Sequence, residues 1–215
     1  VGKLRVHNLA VSLDGYVAGP NQSADNPLGE GGMALHEWVF ATRTGRRMVG
    51  EAGGNDGVDD EFLARGDQGI GATIMGRNMF GPIRGPWGDD SWKGWWGQDP
   101  PYHHAVYVLT HHPHPPIPMQ GGTTFHFVTD GIESALHQAM AAAAGQDVRL
   151  GGGAATVRQY LRAGLVDELH LAIVPILLGS GERLFDDIGS ATGRYACTEM
   201  TSSSSVTHVR LSAKR

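Results

Sequence analysis

Residues Asp147 to Phe185 read DVRLGGGAATVRQYLRAGLVDELHLAIVPILLGSGERLF, and their pattern decides the fold. A short apolar strand carrying Val148 and Leu150 runs into three consecutive glycines, Gly151, Gly152 and Gly153, and then into an amphipathic helix. Val157, Tyr160, Leu161 and Leu165 recur at the one-face spacing of an α-helix, and Gly164 stands where a C-terminal cap belongs. A long second strand follows. Glycines at a strand-to-helix turn let the backbone come close to a ligand, and the free N–H groups of the first helical turn, backed by the helix dipole, favour a phosphate. The stretch is therefore a candidate nucleotide-binding element, with a plain tight turn between packed elements as the other reading.

Two better-known glycine motifs do not fit. A P-loop needs Lys and Ser or Thr after its last glycine, and Ala154 and Ala155 stand there. A Rossmann fingerprint needs spaced glycines and an acidic residue about 20 positions on, at the end of a second strand. Here Asp167 and Glu168 precede that strand instead.

The chain has 215 residues, 40% of them hydrophobic, enough to fill the core of one domain spanning 1–215. A formal net charge of -5 argues against holding nucleic acid or an anionic membrane by general electrostatics, while leaving room for a local basic patch. Cys197 is the only cysteine, so no internal disulfide forms and a reducing cytoplasm is the expected compartment. The first twenty residues lack a basic end followed by an apolar block, and no run approaches the roughly 18 apolar residues that span a bilayer.

From the start of the chain, Leu4 to Val17 reads as a central strand leading into Ser12-Leu13-Asp14-Gly15-Tyr16. Asp14, at the end of a buried strand, is either a reacting carboxyl group or a turn cap. Asn21 to Gly32 reads as a mobile polar loop and Met33 to Thr42 as a short helix with Leu35, Trp38 and Val39 on one face. Ile70 to Phe80 holds a strand ending in Gly76-Arg77, where an arginine fork beside a glycine suits a phosphate, with a solvated surface arginine as the other reading. Gly81 to Tyr102 carries four of the five tryptophans, Trp87, Trp92, Trp95 and Trp96, as either a wall against a flat ring or a subunit interface. His111, His112 and His114 follow the strand Ala105 to Thr110; with no acidic or cysteine partner nearby in sequence, no metal is expected there. Thr124 to Val128 and the helix Ile132 to Ala144 complete a strand, helix, strand, glycine turn, helix, strand order. That order implies an α/β fold with a mostly parallel sheet covered by helices on both faces. The polar alternating segment Tyr195 to Arg215 reads as an antiparallel edge, turned at Ser202 to Ser205.

Taken together, Ser12-Leu13-Asp14-Gly15-Tyr16, Met75-Gly76-Arg77, Val108-Leu109-Thr110, the Gly151 to Gly153 turn and PILLGSGERLF at Pro175 to Phe185 resemble the dihydrofolate reductase-like superfamily. The resemblance is closest to the reductase domain of the bifunctional riboflavin-biosynthesis deaminase-reductases, as a stand-alone bacterial member. It implies a central sheet of about eight strands, NADPH as hydride donor, and a homodimer. It also implies that Ala10, Val11 and the loop Gly15 to Asn21, with Gly15, Gly19 and Asn21, face the nicotinamide. Gly151, Gly152, Gly153, Ala154, Ala155 and Thr156 would hold the pyrophosphate; Gly76, Arg77 and Asn78, with Thr110, His111 and His112, would take the adenosine phosphates. Trp38, Trp87, Trp92, Ile176 and Leu178 are expected to enclose the substrate, with Asp14 orienting it or relaying a proton. The sequence departs from the family pattern at Met79, where dihydrofolate reductases place a threonine, and Glu37 is the nearest counterpart of their pocket acid. The reading is an NADPH-dependent reductase acting on a C=N or C=O group of a small, planar, pterin- or pyrimidine-like or carbonyl substrate. The alternative is a non-catalytic NADPH-binding sensor or subunit.

Overall fold

The computed structural model describes residues 2–82, 84–88, 91–189, 191 and 193–214. In chain order the elements are β1 (Leu4–Ser12), β2 (Tyr16–Ala18), a 3-10 turn (Gly32–His36), α1 (Glu37–Ala41), α2 (Arg43–Met48), α3 (Val58–Arg65), β3 (Ile70–Gly76) and α4 (Arg77–Phe80). They continue as β4 (Ala105–Leu109), β5 (Ile117–Pro118), β6 (Thr124–Val128), α5 (Ile132–Ala142), β7 (Asp147–Leu150), α6 (Ala154–Ala163), β8 (Glu168–Val174), β9 (Glu182–Arg183), β10 (Tyr195–Ser202) and β11 (Thr207–Ala213).

The main sheet runs β10-β11-β8-β1-β7-β3-β4-β6-β5. Its six inner strands, β8 to β6 in that order, are parallel; β10 and β11 add an antiparallel hairpin at one edge and β5 an antiparallel stub at the other. The sheet thus has nine strands where about eight were expected. The additional short pairing is Ile117 with Phe125 and Pro118 with Thr124, inside a proline-rich stretch. Proline is tolerated there because an edge strand has one side free of ladder bonds.

Apolar side chains sort the helices to the two faces. α5 and α6 bury Ala135, Ala139, Val157, Tyr160 and Leu161 against Leu4, Ile74, Val148 and Leu150. On the opposite face Leu35, Trp38 and Leu63 pack with Ala10, Ala172 and Val174. α6 ends as its sequence indicates: Gly164 takes φ +70, a conformation open to glycine at little cost, and Leu165 N–H closes the turn on Tyr160 O at 3.0 Å.

Three local expectations change. Leu4 to Val17 is not one strand: the β1–β8 register shifts between Val6 and Leu9, Asn8 adopts φ +57, and after Ser12 the chain turns away so that β2 pairs with β9 in a separate ribbon. Asn21 to Gly32 is a hydrogen-bonded loop, with Gly19 N–H on Leu28 O at 2.9 Å and Glu30 N–H on Pro20 O at 2.8 Å. Met33 to Thr42 divides into the 3-10 turn and α1, because Thr42 turns extended and caps α2, its Oγ1 accepting from Gly45 N–H at 2.9 Å.

The bulge at Asn8 aims its backbone N–H at His170 Nδ1 (3.0 Å). With Nδ1 accepting, His170 Nε2 donates to His208 Nδ1 (3.1 Å), and His208 Nε2 donates to Asp59 Oδ1 (2.9 Å). Phe62 stacks on the His208 ring at 4.1 Å, and His7 abuts His170 at 3.3 Å. Burial, then the like charges around them, holds His7 at about 3 and His170 at about 2, and burial also lowers His208. These groups stay neutral in the fold while their unfolded counterparts take up protons near pH 6.5, so acidification below 6.5 favours the unfolded chain. The urea midpoint should therefore fall steadily from pH 7.5 to pH 5, and His170→Asn should flatten that slope; a wild-type midpoint unchanged over the range would contradict this account.

Candidate cofactor and substrate site

Because the six inner strands are parallel, their C-terminal ends share one edge, the place where open α/β sheets bind ligands. The residues following β3, β4 and β7 meet there. Gly76, Arg77 and Asn78 leave β3, Thr110, His111 and His112 leave β4, and Thr156 comes from α6; all seven line one cavity of about 300 Å³. The structure thus gathers all six residues expected at the adenosine phosphates, together with Thr156 of the turn expected at the pyrophosphate.

The β3 and β7 turns are locked to each other. Gly76 N–H donates to Gly152 O at 2.7 Å and Gly151 N–H to Ile74 O at 2.8 Å. A Cβ on Gly76 would sit 2.3 Å from Thr156 Oγ1, so position 76 has room only for glycine while that hydroxyl points between the two turns. Gly152 takes φ +114, which side chains rarely adopt. The first bond closing α6 is Val157 N–H to Gly153 O at 3.0 Å, which leaves the N–H groups of Ala154, Ala155 and Thr156 as the start of the helix without a backbone acceptor among the described residues. Of these, Thr156 lines the cavity, Ala154 is buried, and Ala155 faces a separate open groove beside Arg158 and Arg162.

The cavity is cationic. Arg77 donates through Nη1 to Thr110 Oγ1 (2.9 Å) and through Nη2 to Gly85 O (3.1 Å). Arg84, on the same wall, donates to Gly81 O (2.9 Å). Among the described residues neither guanidinium has a carboxylate at ion-pair distance. Burial first, then the neighbouring Arg84 charge, pushes the Arg77 guanidinium down from its ordinary value, though an arginine remains charged. A bound anion would supply the missing counter-charge. Arg84 and Gln159 were not singled out from sequence; Arg84's only local sign is its Gly-Pro setting just after α4.

The other end of the edge is apolar. Ala10 and Val11 are buried near the end of β1, paired with Ala172 and Ile173 of β8, and Ala10 shares a cluster with Ile176 and Leu178. Asp14 joins the β1 and β8 loops: Oδ1 accepts from Ser12 Oγ (2.5 Å) and Leu178 N–H (3.1 Å), Oδ2 from Gly179 N–H (2.7 Å). These donors, Ser12 foremost, hold its carboxyl down at about 2. A proton-relaying Asp14 would call for the opposite shift, and in this structure the carboxylate joins the two loops. Gly15 N–H bonds Ser12 O (3.0 Å) in the turn after β1, while Gly19 N–H bonds Leu28 O (2.9 Å) and Asn21 Nδ2 bonds Glu30 Oε1 (2.8 Å) in the loop after β2.

The tryptophans are placed differently from expectation. Trp38 is 3% exposed, edge-on to His208 in the core, and too enclosed to meet a ligand. Trp87 and Trp92 cover β4 and β6 with Phe80 and Phe125, where Trp92 Nε1 donates to Phe80 O (2.9 Å). From β4 to β1 is three strand spacings, roughly 14 Å, so these rings do not wall the Ile176 and Leu178 end.

Residues 6–209 match the sequence profile of the RibD C-terminal domain. The chain belongs to the RibD C-terminal domain family. It is 37% identical over 65 residues to the uncharacterized protein YyaP of Bacillus subtilis (strain 168), a stretch covering 30% of this chain and 35% of YyaP. The crystal structure of a candidate riboflavin biosynthesis protein from Shewanella sp. PV-4 superposes over 100% of both chains at TM-score 0.62 and 21% identity. Dihydrofolate reductase from Enterococcus faecalis, complexed with NADP(H) and RAB-propyl, superposes over 100% of this chain and 98% of its own at TM-score 0.54 and 12% identity. These likenesses show a dihydrofolate reductase-like fold.

In this RibD-type domain the Gly76 contact makes a two-step test. Gly76→Ala should lower stability by about 1–3 kcal/mol through overpacking. Thr156→Ala should recover part of that loss, because the next contacts of the new Cβ are at 3.5 and 3.6 Å. Thermal melts of the single and double variants check this; additive losses would show that the two turns are not pressed together.

Proposed function

We propose that this domain is an NADPH-dependent reductase transferring a hydride to a C=N or C=O group of a small, planar heterocyclic or carbonyl substrate. The observation that carries the proposal is the pair Arg77 and Arg84, without carboxylate partners among the described residues, in a cavity that adjoins the open first turn of α6. Donor forks and free helical N–H groups suit a dinucleotide with an extra phosphate. The cavity, the Gly151–Gly153 turn and the Ala10 end lie in sequence along one sheet edge, which suits an extended cofactor. Membership of the RibD C-terminal domain family and the NADP(H)-complexed dihydrofolate reductase of the same fold agree with this reading.

Bound there, NADPH would supply the hydride. Arg77 and Arg84 would hold its extra phosphate, the Ala154 to Thr156 N–H groups its pyrophosphate, and the Ala10 and Val11 backbone would orient its reacting end. Ile176 and Leu178, with the exposed Leu13 and Leu177 on the rim, offer an apolar face to a flat substrate. Asp14 keeps the two loops at fixed separation, a positioning role, since catalysis of this kind depends on holding donor and acceptor in register.

Calorimetric titration with NADPH and NADH tests the proposal. Wild type should prefer NADPH, and Arg77→Ala should weaken NADPH binding by roughly 10- to 100-fold, as loss of charged hydrogen bonds does. Equal affinity for both cofactors, unchanged in Arg77→Ala, would overturn the assignment. Asp14 provides a second check. A depressed carboxyl contributes stability above pH 3.8 that disappears as pH falls toward 2, so Asp14 stays ionised from pH 5 to 8. Asp14→Asn should lower the melting temperature but leave the shape of the pH–rate profile over pH 5–8 unaltered.

A further inference from the structure

We infer that Trp87 is the positioning residue that presents Arg77 to the cofactor's extra phosphate, so that the aromatic loop sets the choice between phosphorylated and unphosphorylated dinucleotide. The inference rests on the cofactor reading of the Arg77 cavity. The Arg77 guanidinium carbon lies 3.3 Å from the centre of the Trp87 ring, a close cation–π stack with the best of the aromatic partners. Trp87 is itself fixed: Nε1–H donates to His112 O at 2.9 Å, and the ring meets Phe80 and Phe127 edge-on at 5.9 and 5.0 Å.

The contacts close a circuit. Arg77 bonds Thr110 Oγ1, Thr110 Oγ1 is bonded in turn with the backbone of His112, and His112 O takes the Trp87 indole N–H that brings the ring back over Arg77. Arginine is a long side chain whose ordering costs entropy each time a ligand must capture it. Here one face is covered by Trp87 and two of the five guanidinium N–H groups are occupied by Thr110 and Gly85. The remaining donors have no acceptor among the described residues. The fork is therefore held flat at the cavity wall before any anion arrives, beside Arg84, whose like charge an anion would offset. Trp87 also fills space against Phe80 and Phe127, so packing and positioning must be separated experimentally.

Trp87→Leu keeps apolar bulk and removes the π face, whereas Trp87→Phe keeps a face and loses the indole N–H. Binding of 2′,5′-ADP and of 5′-AMP, which lacks the 2′-phosphate, is measured by calorimetry on the full chain, with folding checked by thermal melts. Trp87→Leu should weaken 2′,5′-ADP by about 5- to 20-fold while 5′-AMP changes by less than about twofold, and Trp87→Phe should recover most of the loss. In an Arg77→Ala background Trp87→Leu should have no further effect on 2′,5′-ADP, because the route through Arg77 is gone. Equal weakening of both nucleotides, full retention of 2′,5′-ADP affinity in Trp87→Leu, or an undiminished Trp87→Leu effect without Arg77 would each overturn the inference. If wild type itself fails to distinguish 2′,5′-ADP from 5′-AMP, the cofactor reading falls; if wild type distinguishes them and Trp87→Leu does so equally well, only the role of Trp87 falls.

Discussion

Gly76 N–H reaches Gly152 O at 2.7 Å while the bare Gly76 Cα leaves room for Thr156, and this contact joins the turn after β3 to the turn after β7. Everything at the sheet edge follows from that closeness. It brings the start of α6 beside Arg77, so that a helix N-terminus and an arginine fork address the same cavity. It also fixes where the two turns stand relative to β1, two strands from β3, whose end carries the apolar half of the edge. A Cβ at position 76 would press on the Thr156 hydroxyl that stands between the two turns.

Charge pairing elsewhere in the chain makes the cavity stand out. Arg5 pairs with Asp147, Arg149 with Asp67, Arg65 with Glu199, and Arg210 with both Glu168 and Glu199. In a chain of net charge -5, Arg77 and Arg84 nevertheless lack acidic partners among the described residues. Two like charges on one cavity wall make a local positive potential that suits an anion. Asp14 illustrates the converse. Its position at a strand end suggests chemistry, but its oxygens are engaged by Ser12, Leu178 and Gly179 and its charge serves the loops.

Where local periodicity governs structure, the sequence was readable. The α6 stripe, its Gly164 cap, the parallel core strands and the final hairpin all follow from spacing and turn chemistry. The places of the glycine turn and of Arg77, each at a strand end, were legible for the same reason. What escaped depends on partners distant in the chain. The break after Ser12 is stabilised by Asp14 reaching Leu178 and Gly179, and the bulge at Asn8 by His170; no window of neighbouring residues contains either pair. Trp38 was read by residue type as a substrate wall, yet its helix turns it into the core. Trp87 belongs to a loop without periodicity, and only the folded chain shows that it lies over Arg77. Arg84 was invisible because an exposed arginine in a glycine-proline loop is an ordinary surface residue until its neighbours are known.

A crystal structure of the protein with NADP+ tests the central claim most directly, that one dinucleotide spans the edge from the Arg77 cavity to the end of β1. The account predicts the 2′-phosphate between Arg77 and Arg84, the pyrophosphate against the first turn of α6, and the nicotinamide beside Ala10 and Val11. A nucleotide bound with its 2′-phosphate away from both arginines, or bound elsewhere on the molecule, would contradict it.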